Sequence, residues 1–332
     1  MLTMPRKILK TAGFLGLFIL AIGELLARFS LGLGSPPLSS PHPTVEYLYQ
    51  PNQDVFRFGN RFITNQYGMR SELFAEKKKL DSEIRVMVFG DSVLNGGSLT
   101  DQDSLATSLL AAAWEKKLNR KVIVGNISAG SWGPGNWLAY AQAYGFFEAD
   151  VVILLLSSHD AYDNPTFQPL DLNTHPQKAP VSALQEAIAR YLPRYFAKIT
   201  RRPAIVQPSD RDIALATDQG ISDLKEFLLL AQQQTPHVFL FLHPTRSEAR
   251  TGQQENGYEQ IYTLSTDLGI STFSLHEAFH NALQQREADP YRSNDNIHPS
   301  EAGQKLIADA IQRTIPASIL RLSQQRDNSV TE

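Results

Sequence analysis

Two short stretches, far apart in the chain, carry residues that could do nucleophilic chemistry together: Gly90-Asp91-Ser92 and Asp295-Asn296-Ile297-His298. A serine hydroxyl is a weak nucleophile until a base takes its proton. Asp295 and His298 are three residues apart, so one turn of chain puts both side chains on the same side. The carboxylate can then accept from one imidazole nitrogen while the other nitrogen faces the serine. An Asp-x-x-His pair recurs by chance in many chains. Its weight here comes from position, because it lies just before a closing helix whose start is marked by Pro299 and Ser300.

Two further loops could complete such a site. Asn126-Ile127-Ser128-Ala129-Gly130-Ser131-Trp132-Gly133 contains a glycine, Gly130, whose amide could point at a developing oxyanion; alone, Gly130 reads equally as a turn residue. Ser157-Ser158-His159-Asp160 offers His159, which could be a hydrogen-bond donor, a structural histidine, or half of a metal site with Asp160 and Asp163.

These loops need a scaffold that brings strand ends together. Strands read at Ile84 to Phe89, Lys121 to Asn126, Val151 to Leu156, His237 to Leu242 and Ile270 to Phe273. Between them lie helical patterns within Ser104 to Leu118, Asn136 to Phe147, Ser222 to Gln233 and Tyr258 to Leu268, with a closing helix at Ser300 to Arg313. Alternation of this kind predicts an α/β fold, a three-layer α/β/α flavodoxin-like sandwich on a five-stranded parallel sheet. In such sheets ligands bind outside the carboxyl ends of the strands, where Ser92 falls. An insertion, 163–219, is expected to carry an amphipathic helix near Val181 to Ile199. Its Arg190, Arg194, Lys198 and Arg201 stand beside Tyr191, Tyr195 and Phe196, and could meet an anionic glycan or a membrane surface, or simply form a solvated face.

The chain has 332 residues, a net charge of −3 and no cysteine, which removes any basic-surface argument for nucleic acid and excludes disulfides and thiolate-held metals. Near the N-terminus, Arg6, Lys7 and Lys10 precede an apolar run interrupted by Glu24 and Arg28. The run is about one membrane crossing long, and the basic flank orients the rest of the chain outward. It reads as an uncleaved transmembrane helix, with a cleaved signal peptide and a buried soluble helix as the other readings. The expected organisation is an anchor over 1–34, a Pro-rich spacer and irregular arm over 35–80, a catalytic domain over 81–316 and a polar tail over 317–332. Within the arm, the spacer Ser35 to Pro43 is expected to be extended and to lift the domain off the membrane, with short strands at Val55 to Phe58 and Arg61 to Thr64.

Taken together, Gly-Asp-Ser after the first strand, a glycine after the second, a polar residue followed by Asp after the third, and Asp-x-x-His near the C-terminus resemble the four blocks of the SGNH, or GDSL-type, hydrolases over Ile84 to Arg313. The arm sequence Asn65-Gln66-Tyr67-Gly68-Met69-Arg70 and the preceding apolar helix are similar to the membrane-tethered branch of that family. The resemblance implies Ser92 as nucleophile, His298 as base, Asp295 as its orienter, and the Ser92 and Gly130 amides as oxyanion donors. One departure stands out: the third block of the family normally supplies an asparagine amide, and His159 occupies that position, with Asn136 next in line as donor. The implied activity is that of an extracytoplasmic serine esterase, on the periplasmic side of the membrane, acting on ester-linked acyl groups of a surface polysaccharide. The alternatives are an O-acyltransferase of exopolysaccharide with the same triad and a non-catalytic scaffold. Neither a cofactor nor a metal is implied; the partners expected are an acylated glycan, the membrane and polysaccharide-assembly proteins.

Overall fold

The structure, a computed structural model, describes residues 6–80, 82–193, 210–285 and 288–322. The N-terminal apolar run folds as one helix, α1 (Arg6–Leu31). Its Lys10–Leu31 part is long and apolar enough to cross a membrane, as an anchor or a signal sequence would be. Two antiparallel hairpins follow, β1 (Ser39–His42) with β2 (Glu46–Tyr49) and β3 (Asp54–Arg57) with β4 (Asn60–Ile63). The first hairpin corrects the extended-spacer expectation. Ser39 is buried, its N–H donates to Pro176 O at 2.9 Å, and Pro41 is accommodated because β1 has only one sheet neighbour.

The central elements are β5 (Ile84–Gly90), α2 (Ser92–Asn95), α3 (Ala106–Leu118), β6 (Val122–Ser128), α4 (Pro134–Tyr144) and β7 (Val151–Ser157). After them come α5 (Ala183–Glu186), α6 (Asp210–Gln234), β8 (Val238–His243), α7 (Arg246–Thr251), α8 (Tyr258–Asp267), β9 (Ser271–Ser274), α9 (His276–Gln285), α10 (Glu301–Thr314) and α11 (Ala317–Leu322). The five core strands are all parallel, in the order β6-β5-β7-β8-β9. This is the doubly wound, three-layer architecture expected. Strands β5, β7 and β8 are buried along their full lengths, which is why their sequences read as unbroken apolar runs.

Alternation along β5 divides the two cores. Met87 and Phe89 face a layer containing Trp137 and Tyr140 of α4, Phe227 and Leu228 of α6, and Ile261 of α8. Ile84, Val86 and Val88 face Trp114 of α3, Phe279 of α9, and Ile307 and Ile311 of α10. Because the chain leaves β5 for one neighbour, β6, and returns to the other, β7, the connections diverge just beyond the end of β5. That divergence is the topological switch point, and Ser92 sits there.

Several boundaries differ from expectation. The insertion helix is described as α5 continuing into a π turn over Ala187–Tyr191. Arg194, Tyr195, Phe196, Lys198 and Arg201 lie outside the described residues. Helix α6 starts well before Ser222, inside the expected insertion. Helices α7 and α9 were not anticipated. Helix α11 follows residue 316 and buries Leu320, where a polar tail was expected; the residues after 322 lie outside those described.

Candidate active site

The Gly90-Asp91-Ser92 loop, which carries the candidate nucleophile, is built by close packing at the end of β5. A Cβ on Gly90 would fall 2.9 Å from Leu94 Cβ and 3.0 Å from Leu155 O, so the turn closes tightly only with glycine there. The Gly90 carbonyl accepts from Trp137 Nε1 at 2.9 Å. Asp91 caps α2, its Oδ1 accepting the Val93 N–H at 2.8 Å. The first amides of a helix have no partner within it, and the Ser92 N–H is one of these. Asn95 closes the turn, with Nδ2 donating to Ser128 O at 2.8 Å and thereby joining the first and second loops.

The candidate acid and base come from the loop before α10. His298 Nε2 is 3.0 Å from Ser92 Oγ, and Nδ1 is 2.8 Å from Asp295 Oδ2. With Nδ1–H donating to the carboxylate, Nε2 is the acceptor facing the serine, the tautomer that base catalysis needs. The other carboxylate oxygen accepts the N–H groups of Ile297 and His298, both at 2.9 Å. Burial pushes the Asp295 carboxyl up, but these amides and the imidazole outweigh it and hold it below its ordinary value, so the acid stays ionised.

Residues outside the expected set hold this loop. Arg246 donates from Nε to Asp295 O at 2.9 Å, from Nη2 to Arg292 O at 3.0 Å and from Nη1 to Asp289 Oδ2 at 2.7 Å. Arg292 reaches back to Gly96 O and to Thr100 Oγ1 (2.9 Å), stitching the base loop to the nucleophile loop. Gln304 makes a second stitch: Nε2 donates to Val93 O at 2.7 Å and Oε1 accepts from Ala106 N at 2.9 Å. His243, at the end of β8, lies 2.9 Å through Nε2 from the carbonyl of Ile297. Burial lowers its pKa to about 4, so it is a neutral support, with Nε2–H as the donor to that carbonyl.

Gly130 is anchored by Tyr47, whose hydroxyl donates to Gly130 O at 2.6 Å. A Cβ there would meet only that hydroxyl, at 3.6 Å, so no steric need for glycine exists and the space over the residue is open. Gly133 is different. A Cβ there would overlap Asp163 O at 1.8 Å, because the start of the insertion crosses directly over this loop. Asn136 is not available as a donor. Fully buried, it spends Nδ2 on Val45 O (2.8 Å) and Oδ1 on Gly133 N (2.9 Å).

His159 is flanked by two carboxylates. Its Nε2 is 3.4 Å from Asp91 Oδ2 and 3.7 Å from Asp160 Oδ1, while Nδ1 is buried without a partner among the described residues. Burial opposes the imidazolium, yet Asp160, Asp91 and Asp163 together raise the His159 pKa to about 10. The neutral, singly donating imidazole expected of an asparagine substitute is thus replaced by a cation with acids at Nε2. Asp160 is itself pushed up, by burial first and then by the Asp91 carboxylate. The ligand atoms of Asp91, His159 and Asp160 lie within 4.8 Å of one another, a spacing that could hold a metal ion. A metal there would compete with a proton on Nε2.

The arm also contributes. Arg70 is fully buried and donates to the carbonyls of Asn95, Gly97 (2.5 Å) and Thr100 (2.6 Å), fixing the backbone just after the nucleophile turn. Burial lowers its pKa to about 9. Its only sequence signal is membership of the Asn65 to Arg70 stretch.

No known family profile and no curated protein matches the sequence. Solved structures of similar layout include an α/β-hydrolase enzyme from the metagenome of Lake Arreo, Spain, at 16% identity. That match covers 69% of this chain and 94% of the other, with a TM-score of 0.45. An acetylxylan esterase from Geobacillus stearothermophilus is similar at 12% identity, over 71% of this chain and 95% of that one, with a TM-score of 0.46. A two-domain esterase active on acetylated mannans is similar at 12% identity, over 73% of this chain and 50% of that one, with a TM-score of 0.45.

Proposed function

We propose that the chain is a membrane-anchored serine esterase, with its catalytic domain on the periplasmic side, that removes ester-linked acyl groups from a surface polysaccharide. The observation that carries this reading is the continuous relay from Ser92 Oγ through His298 to Asp295, at 3.0 and 2.8 Å. In the first half-reaction Ser92 Oγ attacks the ester carbonyl carbon while its proton passes to His298 Nε2. The tetrahedral oxyanion is met by the Ser92 and Gly130 amides, with His159, in the third-block position, as the candidate third donor. The bond to the alcohol oxygen then breaks, and His298 returns the proton to the leaving sugar hydroxyl. Water, deprotonated by His298, releases the acid from the acyl-enzyme. Asp295 stabilises the imidazolium throughout and does not itself take the proton.

The outward orientation rests on the basic flank of α1, and the glycan on the resemblance of the four sequence blocks. The test is to offer the full-length protein acetyl, aryl and lipid esters and an acetylated polysaccharide, with Ser92→Ala as control. Release of acid from the glycan that disappears in Ser92→Ala is the expected result. Turnover confined to lipid esters would replace the substrate assignment, and undiminished turnover in Ser92→Ala would remove the nucleophile.

A further inference from the structure

Glu24 and Arg28, the two charges inside the apolar run, are occupied. Arg28 Nη2 donates to Glu24 Oε1 at 2.8 Å, and the same carboxylate accepts the backbone N–H groups of Ala183 and Leu184, both at 2.9 Å. The side chain of α1 therefore caps the start of α5, at the tip of the insertion. Glu186, on the last position of α5, is tied to the end of α1 in turn. Its Oε2 accepts Gly34 N at 2.7 Å, and its carboxylate pairs with buried Arg57, which also donates to Gly32 O (3.1 Å) and Tyr191 Oη (2.7 Å). Ala27, Leu33 and Ala183 form a small core there, flanked by Phe58, Ala187 and Tyr191.

This attachment fixes a depth. A hydrocarbon core of ~30 Å takes about 20 helical residues at ~1.5 Å each, so a span that starts near Lys10 ends near Leu31 and leaves Glu24 ~10 Å inside it. Whatever is fastened to Glu24 lies at the level of the outer acyl chains or headgroups. The side chains that α5 and its flanks turn away from the protein match that level: Val181 is 91% exposed, Ile188 60% and Leu192 45%. Exposed Leu25, Leu26 and Phe29 of α1 belong to the same part of the molecule.

We infer that Val181 to Leu192 is a second membrane contact, an interfacial element that buries Val181, Ile188 and Leu192 in the outer leaflet beside α1. The occupant of this apolar surface is the bilayer, because the surface is continuous with the helix that crosses it. Glu24 is tolerated at depth because its charge is paired with Arg28 and its oxygens are hydrogen-bonded by α5. The domain is thereby held in one orientation on the membrane rather than swinging on a spacer. This inference rests on the reading of α1 as a retained anchor.

The absence of cysteine makes the test direct. Phe18→Cys, Ile188→Cys, Leu192→Cys and, on the far closing helix, Lys305→Cys would each be labelled with an environment-sensitive fluorophore. The full-length proteins would be placed in phosphatidylethanolamine/phosphatidylglycerol vesicles carrying acyl-chain nitroxide lipids. The expected result is blue-shifted, nitroxide-quenched emission at positions 18, 188 and 192 and neither effect at 305. Adding Glu24→Ala should abolish quenching at 188 and 192 while leaving it at 18. Quenching at 18 with none at 188 and 192 would overturn the second contact and leave the anchor standing. Loss of membrane association, with a shortened soluble chain, would overturn both.

Discussion

At the residue scale the account stands on three side chains acting as a unit. Ser92→Ala and His298→Ala should each abolish most ester turnover, and the double variant should be little worse than either one, a non-additivity that steady-state rates with folded proteins can measure. His159 allows a second prediction. Losing one oxyanion donor costs on the order of 100- to 1,000-fold in turnover, so His159→Ala should fall in that range, with His159→Asn recovering part of it. Its charge also has a pH signature. The folded pKa of about 10 is raised above the unfolded value by Asp160, Asp91 and Asp163, so the stability the imidazolium contributes is full below the unfolded pKa and is lost as pH rises through the folded one. Unfolding midpoints of wild type should therefore drop on going from neutral pH to about 10, relative to those of His159→Asn. Parallel pH profiles for the two would contradict the charged state.

At the element scale, what decides activity is how two distant loops are held in register. Arg70 and Gln304 bridge backbone groups that would otherwise be buried without partners. Leaving buried polar groups unsatisfied costs on the order of 1–3 kcal/mol each, so Arg70→Met should lower unfolding free energy by about 3 kcal/mol or more in urea titrations and reduce turnover more than substrate binding. Retained stability would show that the carbonyls of Asn95, Gly97 and Thr100 find other donors. Much of this scale was legible beforehand. Two-sided burial makes β5, β7 and β8 continuous apolar runs, and the Asp295–His298 spacing is local. The supports were not legible, because Arg70, Arg246, Arg292 and Gln304 act through long-range hydrogen bonds that leave no period in the sequence. Helices α7 and α9 were missed because each buries a single apolar residue, Ala249 on the first and Phe279 on the second. The charge on His159 owes most to its chain neighbour Asp160, but Asp91, which adds to it, lies at the end of another strand, a contact that chain order does not reveal. The Ser35 to Pro43 composition suggested an extended spacer, whereas pairing with β2 and burial of Ser39 prevailed.

At the scale of the whole molecule, the parallel sheet places the serine at its switch point, and α1 is joined through Glu24 and Glu186 to the insertion that crosses over the second loop at Gly133. The proposed reading of α1 as an anchor with basic residues before it predicts that a C-terminal reporter fusion is active only outside the cytoplasm. Activity of the same fusion inside would reverse the orientation. The most direct test of the central claim is mass spectrometry of the intact full-length protein after treatment with a fluorophosphonate, followed by peptide mapping. The account predicts a single adduct on Ser92, lost in Ser92→Ala and strongly slowed in His298→Ala. Ester turnover that continues with Ser92 unmodified, or an adduct mapping to another residue, would contradict it.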